Sequence, residues 1–316
     1  MNALRLKKGC LAASVAALAL GAAACGSSSS TPSTTAPTSP THLPVSTTTI
    51  VFTDHSRTTP AAGTQPQLSA RTLPTTIVFP TRDPGQKTTS PLVVFSHGFG
   101  GTAAELLPTM RSLASHGYVV AAPDFPLSTG TTTVDLGDFA SQPGDVSFVI
   151  TRLLDESKTK GSALFEQIDP KKIGVAGHSL GAVTTLAVSY NSCCHDGRID
   201  AVAELDGELT VPGNSFDGTY FTGHNPPLLI VNGTADQIAP FPMATSIFAQ
   251  APSPKYLMAL LGAPHTGFSE EPWSPVVDDA LAAFFNRYLG PGGSVAQIKA
   301  AGTKRGVATM NVTHAS

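Results

Sequence analysis

Charge is scarce in this sequence, and what there is nearly balances. Asp, Glu, Lys and Arg make up 13% of the 316 residues, with a formal net charge of −3. Such a balance provides no basic face for nucleic acid and no strongly acidic tail. Cysteine is nearly missing, at four residues, and none of the four shows the C-x2-C spacing of structural zinc sites. The run Cys193-Cys194-His195-Asp196 places four donors in succession, and neighbours in sequence cannot easily converge on one ion. No metal site is expected. The apolar run from Cys10 to Ala24 is too short for a comfortable membrane span. The Gly-rich stretch His97-Gly98-Phe99-Gly100-Gly101 lacks the following Lys-Ser/Thr of a phosphate cradle.

The N-terminus reads as an export signal. Arg5, Lys7 and Lys8 precede the apolar run, which ends in small residues before Cys25. Small residues before a cysteine, then a Ser/Thr/Pro tract, resemble a bacterial lipoprotein signal. Ala22 departs from it, standing where that signal usually carries Leu. The expectation is a signal peptide over 1–24, lipidation of Cys25 and a polar tether over 25–47, with simple secretion as the alternative. Residues 48–290 are the expected catalytic domain and 291–316 a loose tail. Cys193 and Cys194 remain as a vicinal pair. Their Cα atoms lie about 3.8 Å apart across a trans peptide, while ordinary disulfides want roughly 4.4–6.8 Å. A vicinal disulfide and two buried thiols both stay open.

Past the tether, "TTTIVFTDH" and "TLPTTIVFP" read as two early antiparallel strands. "SPLVVFSHG", "YVVAAPDF", "KIGVAG", "IDAVAELDG", "PPLLIVNG" and "KYLMALLG" are short apolar runs, the pattern of strands buried on both faces. Helical patterns alternate with them, the first interrupted near Pro108. This is an α/β domain with a mostly parallel sheet flanked by helices.

Gly177-His178-Ser179-Leu180-Gly181 fits G-x-S-x-G at a strand-to-helix junction, where glycines leave room for a tight turn that presents a serine. A neutral serine needs a base, itself oriented by an acid. His265 follows the strand "KYLMALLG" in a loop position where active-site residues of open α/β sheets gather. Asp236 follows "PPLLIVNG" and Asp206 ends "AVAELD". Asp236 is the favoured acid and Asp206 the alternative. The backbone amides of Phe99 and Leu180 are the expected oxyanion donors.

Together "VVFSHGFGG", "YVVAAPDFP", "GVAGHSLGAVTTL", "LLIVNGTADQIAP" and "GAPHTGF" resemble the α/β-hydrolase superfamily. Within it the chain looks most like exported bacterial esterases grouped with platelet-activating-factor acetylhydrolases, chlorophyllases, dienelactone-hydrolase-like proteins and polyester hydrolases. The polyester-hydrolase likeness puts the acid at Asp236, whereas the acetylhydrolase likeness puts it at Asp206. The resemblance implies an α/β-hydrolase fold and a serine carboxylic-ester hydrolase with no metal or organic cofactor. With no long lid insertion, short-acyl or polymer-type esters are the expected substrates. A serine peptidase, an acyltransferase or a silent surface-binding lipoprotein are the alternatives.

Overall fold

A strand buried on both faces must send successive side chains into two separate cores, and the structure shows this residue by residue. The computed structural model describes residues 42–82, 88–130, 134–211 and 216–313. The expected signal peptide, Cys25 and the tether up to residue 41 lie outside the described residues. Among those described, a nine-stranded sheet runs in the order β1-β2-β4-β3-β5-β6-β7-β8-β9. The strands are β1 (Val45–Asp54), β2 (Arg71–Pro80), β3 (Ser90–Ser96), β4 (Val119–Pro123), β5 (Ile168–His178), β6 (Ala201–Leu205), β7 (Leu228–Gly233), β8 (Lys255–Leu260) and β9 (Ala308–Thr313). The six strands from β4 to β8 in that order are parallel. β1, β2 and β9 join antiparallel at the margins.

Among the described residues six helices cover the two faces: α1 (Ala103–Ser115), α2 (Gln142–Glu156), α3 (Leu180–Tyr190), α4 (Phe241–Gln250), α5 (Ser274–Tyr288) and α6 (Val295–Ala301). Val93 and Phe95 of β3 pack with Leu106 and Met110 of α1 and Phe284 and Phe285 of α5. Their neighbours Leu92 and Val94 face the other way, toward Val149 and Ile150 of α2, Leu186 of α3 and Ile247 of α4. The result is an α/β-hydrolase fold in three layers.

Three expectations need correction. The first strand begins at Val45, inside the expected tether, because residues 45–54 pair in full register with β2 and Ser46 Oγ meets Thr81 Oγ1 at 2.9 Å. The C-terminal stretch is no loose tail up to residue 313. Ser294 and Gln297 form a reciprocal cap that starts α6, Ile298 plugs into the core, and β9 pairs with β8 while burying Ala308 and Met310. Finally, α1 runs unbroken through Pro108. Pro108 and Ala104, whose carbonyl loses its usual donor, are both exposed, so water can satisfy that carbonyl.

Candidate active site

The loops after β3, β5, β6, β7 and β8 meet at the C-terminal ends of the parallel strands. Ser179 occupies the junction of β5 and α3 with φ 55° and ψ −122°, a left-handed backbone that side-chain-bearing residues seldom adopt. The flanking glycines are required by crowding. A Cβ on Gly177 would overlap the Gly181 carbonyl and Thr185 Oγ1, and one on Gly181 would overlap the carbonyls of Ser96 and His97. So α3 presses onto β3 and β5, and the turn pushes the Ser179 side chain outward into a cleft.

Two more loops bring partners to it. His265 Nε2 lies 2.9 Å from Ser179 Oγ, and His265 Nδ1 lies 2.7 Å from Asp236 Oδ2. With Asp236 ionised, Nδ1–H donates to the carboxylate and Nε2 accepts from the serine hydroxyl. Asp236 Oδ1 accepts the amides of Ile238 and Ala239 at 2.7 and 3.0 Å, which aims its other oxygen at the imidazole. The acid and histidine loops are stitched together by Ala235 N–H to the Ala263 carbonyl and Gly262 N–H to Thr234 Oγ1. Gly233 lets them close up, since a Cβ there would strike the Ala263 carbonyl.

Asp206, the alternative acid, does not reach His265. It ends β6 at φ 52° and turns its Oδ1 to Asn232 Nδ2 and Gly233 N–H, both at 2.8 Å. Burial pushes the Asp206 carboxyl up to about 8, and the neighbouring Asp236 adds to the rise. Glu204, two residues earlier and fully buried, is raised by burial and by Asp206.

The amides of Phe99 and Leu180 have no backbone or side-chain acceptor among the described residues, and both residues line the same cleft as Ser179 and His265. Gly98 permits this: a Cβ there would sit 3.2 Å from Ser179 Cβ. Leu136, Val183, Val211, Ile238 and Ala239 complete the apolar walls of a cleft of about 200 Å³. A larger cavity of about 480 Å³, beside His42, Tyr118 and Asn286, lies at the opposite end of the sheet and shares no residue with this site.

Two histidines that motif reading passed over support the arrangement. His178 donates from Nε2 to the His265 carbonyl at 3.0 Å and stacks between His265 and Phe268. Burial drives it down to about 4, so it stays neutral and holds the histidine loop. Its only sequence signal is its place inside G-x-S-x-G. His97 bridges the loop after β3 to the loop after β4, donating to the Gly98 carbonyl and accepting Phe125 N–H. Burial lowers its pKa as well. Phe125 is fully buried against His97. His224 is engaged by the Ile199 carbonyl, and Cys193 and Cys194 are joined as a vicinal disulfide. No cluster of metal-ligating side chains occurs among the described residues.

A family model described as alpha/beta hydrolase family matches residues 93–305. The chain belongs to the alpha/beta hydrolase family. A search of curated proteins found no match. Solved structures do match, among them a ferulic acid esterase from Streptomyces cinnamoneus. The superposition has a TM-score of 0.64 at 21% sequence identity, covering 83% of this chain and 94% of that one. At that identity the likeness shows the shared alpha/beta-hydrolase fold. Membership of the family supports hydrolase activity.

Proposed function

We propose that this chain is a serine carboxylic-ester hydrolase with Ser179 as nucleophile, His265 as base and Asp236 as acid. The observation that carries the reading is the unbroken hydrogen-bond relay from a left-handed serine through His265 to a buried carboxylate. Ser179 Oγ attacks the ester carbonyl while His265 Nε2 takes its proton. Asp236 holds the imidazole tautomer and stabilises the imidazolium. The Phe99 and Leu180 amides receive the oxyanion, aided by the N-terminus of α3. His265 then protonates the departing alcohol. Water repeats the sequence on the acyl-enzyme and frees the acid. Apart from that water, every step of this reading is carried by the chain's own side chains and backbone.

A cleft of about 200 Å³ with apolar walls suits a short acyl group, or one unit of a polymer whose remainder lies outside. Phe99 and Ile238 stand at its mouth, 46% and 69% exposed, where they can meet such an extended ester. The N-terminal pattern supports export with a lipid anchor at Cys25, the membrane then being a partner through that lipid. Multiple acyl chains hold a protein far more firmly than one.

A panel of p-nitrophenyl esters of increasing acyl length tests the activity. Turnover should be highest for short chains and vanish in Ser179→Ala; no hydrolysis of any ester overturns the reading. Labelled palmitate should enter the full chain and be lost in Cys25→Ser.

A further inference from the structure

Behind His265 three carboxyl groups are buried side by side, those of Glu204, Asp206 and Asp236. Among the described residues no Lys or Arg pairs with any of them, and the His265 imidazole is the sole ionic partner within reach. Three adjacent buried negative charges with no counter-ion are not sustainable, so protons must remain on some of them. Hydrogen bonding says where the charge rests. Asp236 collects His265 Nδ1–H and the amides of Ile238 and Ala239, the donors an ionised carboxylate needs.

Asp206 is different. Its Oδ1 takes two N–H donors, from Asn232 and Gly233, while its Oδ2 is buried with no partner. The same Asn232 amide also reaches toward Asp236 Oδ2 at 3.5 Å, and the side chains of Asp206 and Asp236 lie against each other. A proton on Asp206 Oδ2 turns the partnerless atom into a donor, with the Asp236 carboxylate beside it as acceptor. Other titratable groups facing this corner are Glu204 on β6, Glu208 just beyond it, Tyr190 on α3 next to Glu204, and His178 near Asp236.

We infer that Asp206 is a positioning residue, a neutral acid whose hydroxyl donates to Asp236 and keeps that carboxylate aimed at His265. The inference rests on the serine-hydrolase reading with Asp236 as acid. It accounts for a strand end held at positive φ, for one oxygen that takes a side-chain amide donor and a backbone donor, and for an orphaned second oxygen. When Asp206 loses its proton, a donor is replaced by a like charge against Asp236, and the relay is loosened.

The test is kcat against pH from 6 to 10, on a p-nitrophenyl ester with the background subtracted, for the wild type, D206N, D206A, E204Q and D236N. The wild-type kcat should fall as pH rises through about 8. D206N keeps an N–H donor that cannot ionise, so it should retain most of kcat at pH 7 and lack that decline. D206A, with no donor, should lose about 10²-fold in kcat at pH 7, the scale of a misplaced catalytic group. Infrared difference spectra at neutral pH should show a protonated-carboxyl C=O band that weakens in D206N, a readout independent of turnover. D206A matching the wild type in rate and profile overturns the inference and leaves the triad intact. So does a decline kept in D206N but lost in E204Q. D206N inactive while D236N stays active would overturn the triad assignment itself.

Discussion

Among the described residues two sets of buried carboxyl groups stand out, three residues each, and they are treated in opposite ways. Asp54, Asp138 and Asp145 are matched by two guanidiniums. Arg71 bonds Asp138 at 2.9 Å and Asp145 at 2.5 Å, while Arg57 bonds Asp54 at 2.6 Å and Asp145 at 2.8 Å. Burial works against the charge on Arg71, but its bonds to Asp145 and Asp138 outweigh that and hold it above its ordinary range. This set ties β2 to α2 and to the short 3-10 helix Leu136–Ser141, which supplies Leu136 to the cleft wall. Glu204, Asp206 and Asp236 have no such cation. Paired buried charge fixes a wall in place, whereas carboxyl groups without a cation, two of them raised to about 8 by burial, gather beside the His265 imidazole.

Removing the one carboxylate that touches His265 should have the largest effect. Asp236→Asn keeps the shape but cannot hold the imidazole tautomer or its charge, and should lower kcat by about 10⁴-fold. Circular dichroism should be unchanged and the substrate KM little affected, so a fall in KM-dependent binding alone would break the contrast. In the compensated set the loss should appear as stability. Arg71→Met strands Asp138 and half of the Asp145 pairing in a dry site, and should cost about 3–5 kcal/mol by urea unfolding. The triple variant that also replaces Asp138 and Asp145 with Leu should recover most of that loss, because a buried triad can often be exchanged for apolar packing.

Much of this contrast was legible in the sequence on one side and hidden on the other. Ser179, His265 and Asp236, the proposed nucleophile, base and acid, each stand just past an apolar strand, and period-two burial with strand-to-helix alternation gives both the fold and the order of the loops. The sequence favours Asp236 over Asp206 without deciding between them, since Asp206 ends its strand and Asp236 lies in the loop just past β7. Only the left-handed turn at Asp206 and its capture by Gly233 and Asn232 separate them, and neither is a pattern in residue types. The ion network escaped for a similar reason: Arg71 and Asp145 are 74 residues apart, and nothing local signals their meeting. The edge elements α6 and β9 are thin in apolar residues and carry little signal in the sequence. Ile298, Ala308 and Met310 suffice when the sheet edge supplies the rest.

The uncompensated set should also mark the pH dependence of stability. Burial raises Glu204 and Asp206 to about 8 in the folded chain. The unfolded chain releases those protons near pH 4 while the folded chain keeps them, so stability is greatest at low pH and falls as pH rises toward 8. Buried His178, lowered to about 4, works in the opposite direction between pH 4 and its ordinary value near 6.5. The clean window is therefore pH 6.5 to 8. Across it the wild type should lose about 1–3 kcal/mol, read from urea midpoints, and Glu204→Gln should flatten the decline. A wild-type midpoint constant over that window would mean the two carboxyls are already ionised in the folded state.

The smallest effect belongs to an ion pair that looks like the compensated set but lies in water. Arg152 and Asp155 approach to 3.5 Å on the surface of α2, with side chains 44% and 48% exposed. Water screens the attraction, and holding two long side chains together costs rotamer freedom. Asp155→Asn should therefore shift stability by no more than about 0.5 kcal/mol, and added salt should shrink even that. A double-mutant cycle with Arg152→Gln measures the coupling directly. If it came out as large as the loss in Arg71→Met, burial would not be what gives the inner network its strength, and the distinction between the two carboxylate sets would rest on charge count alone.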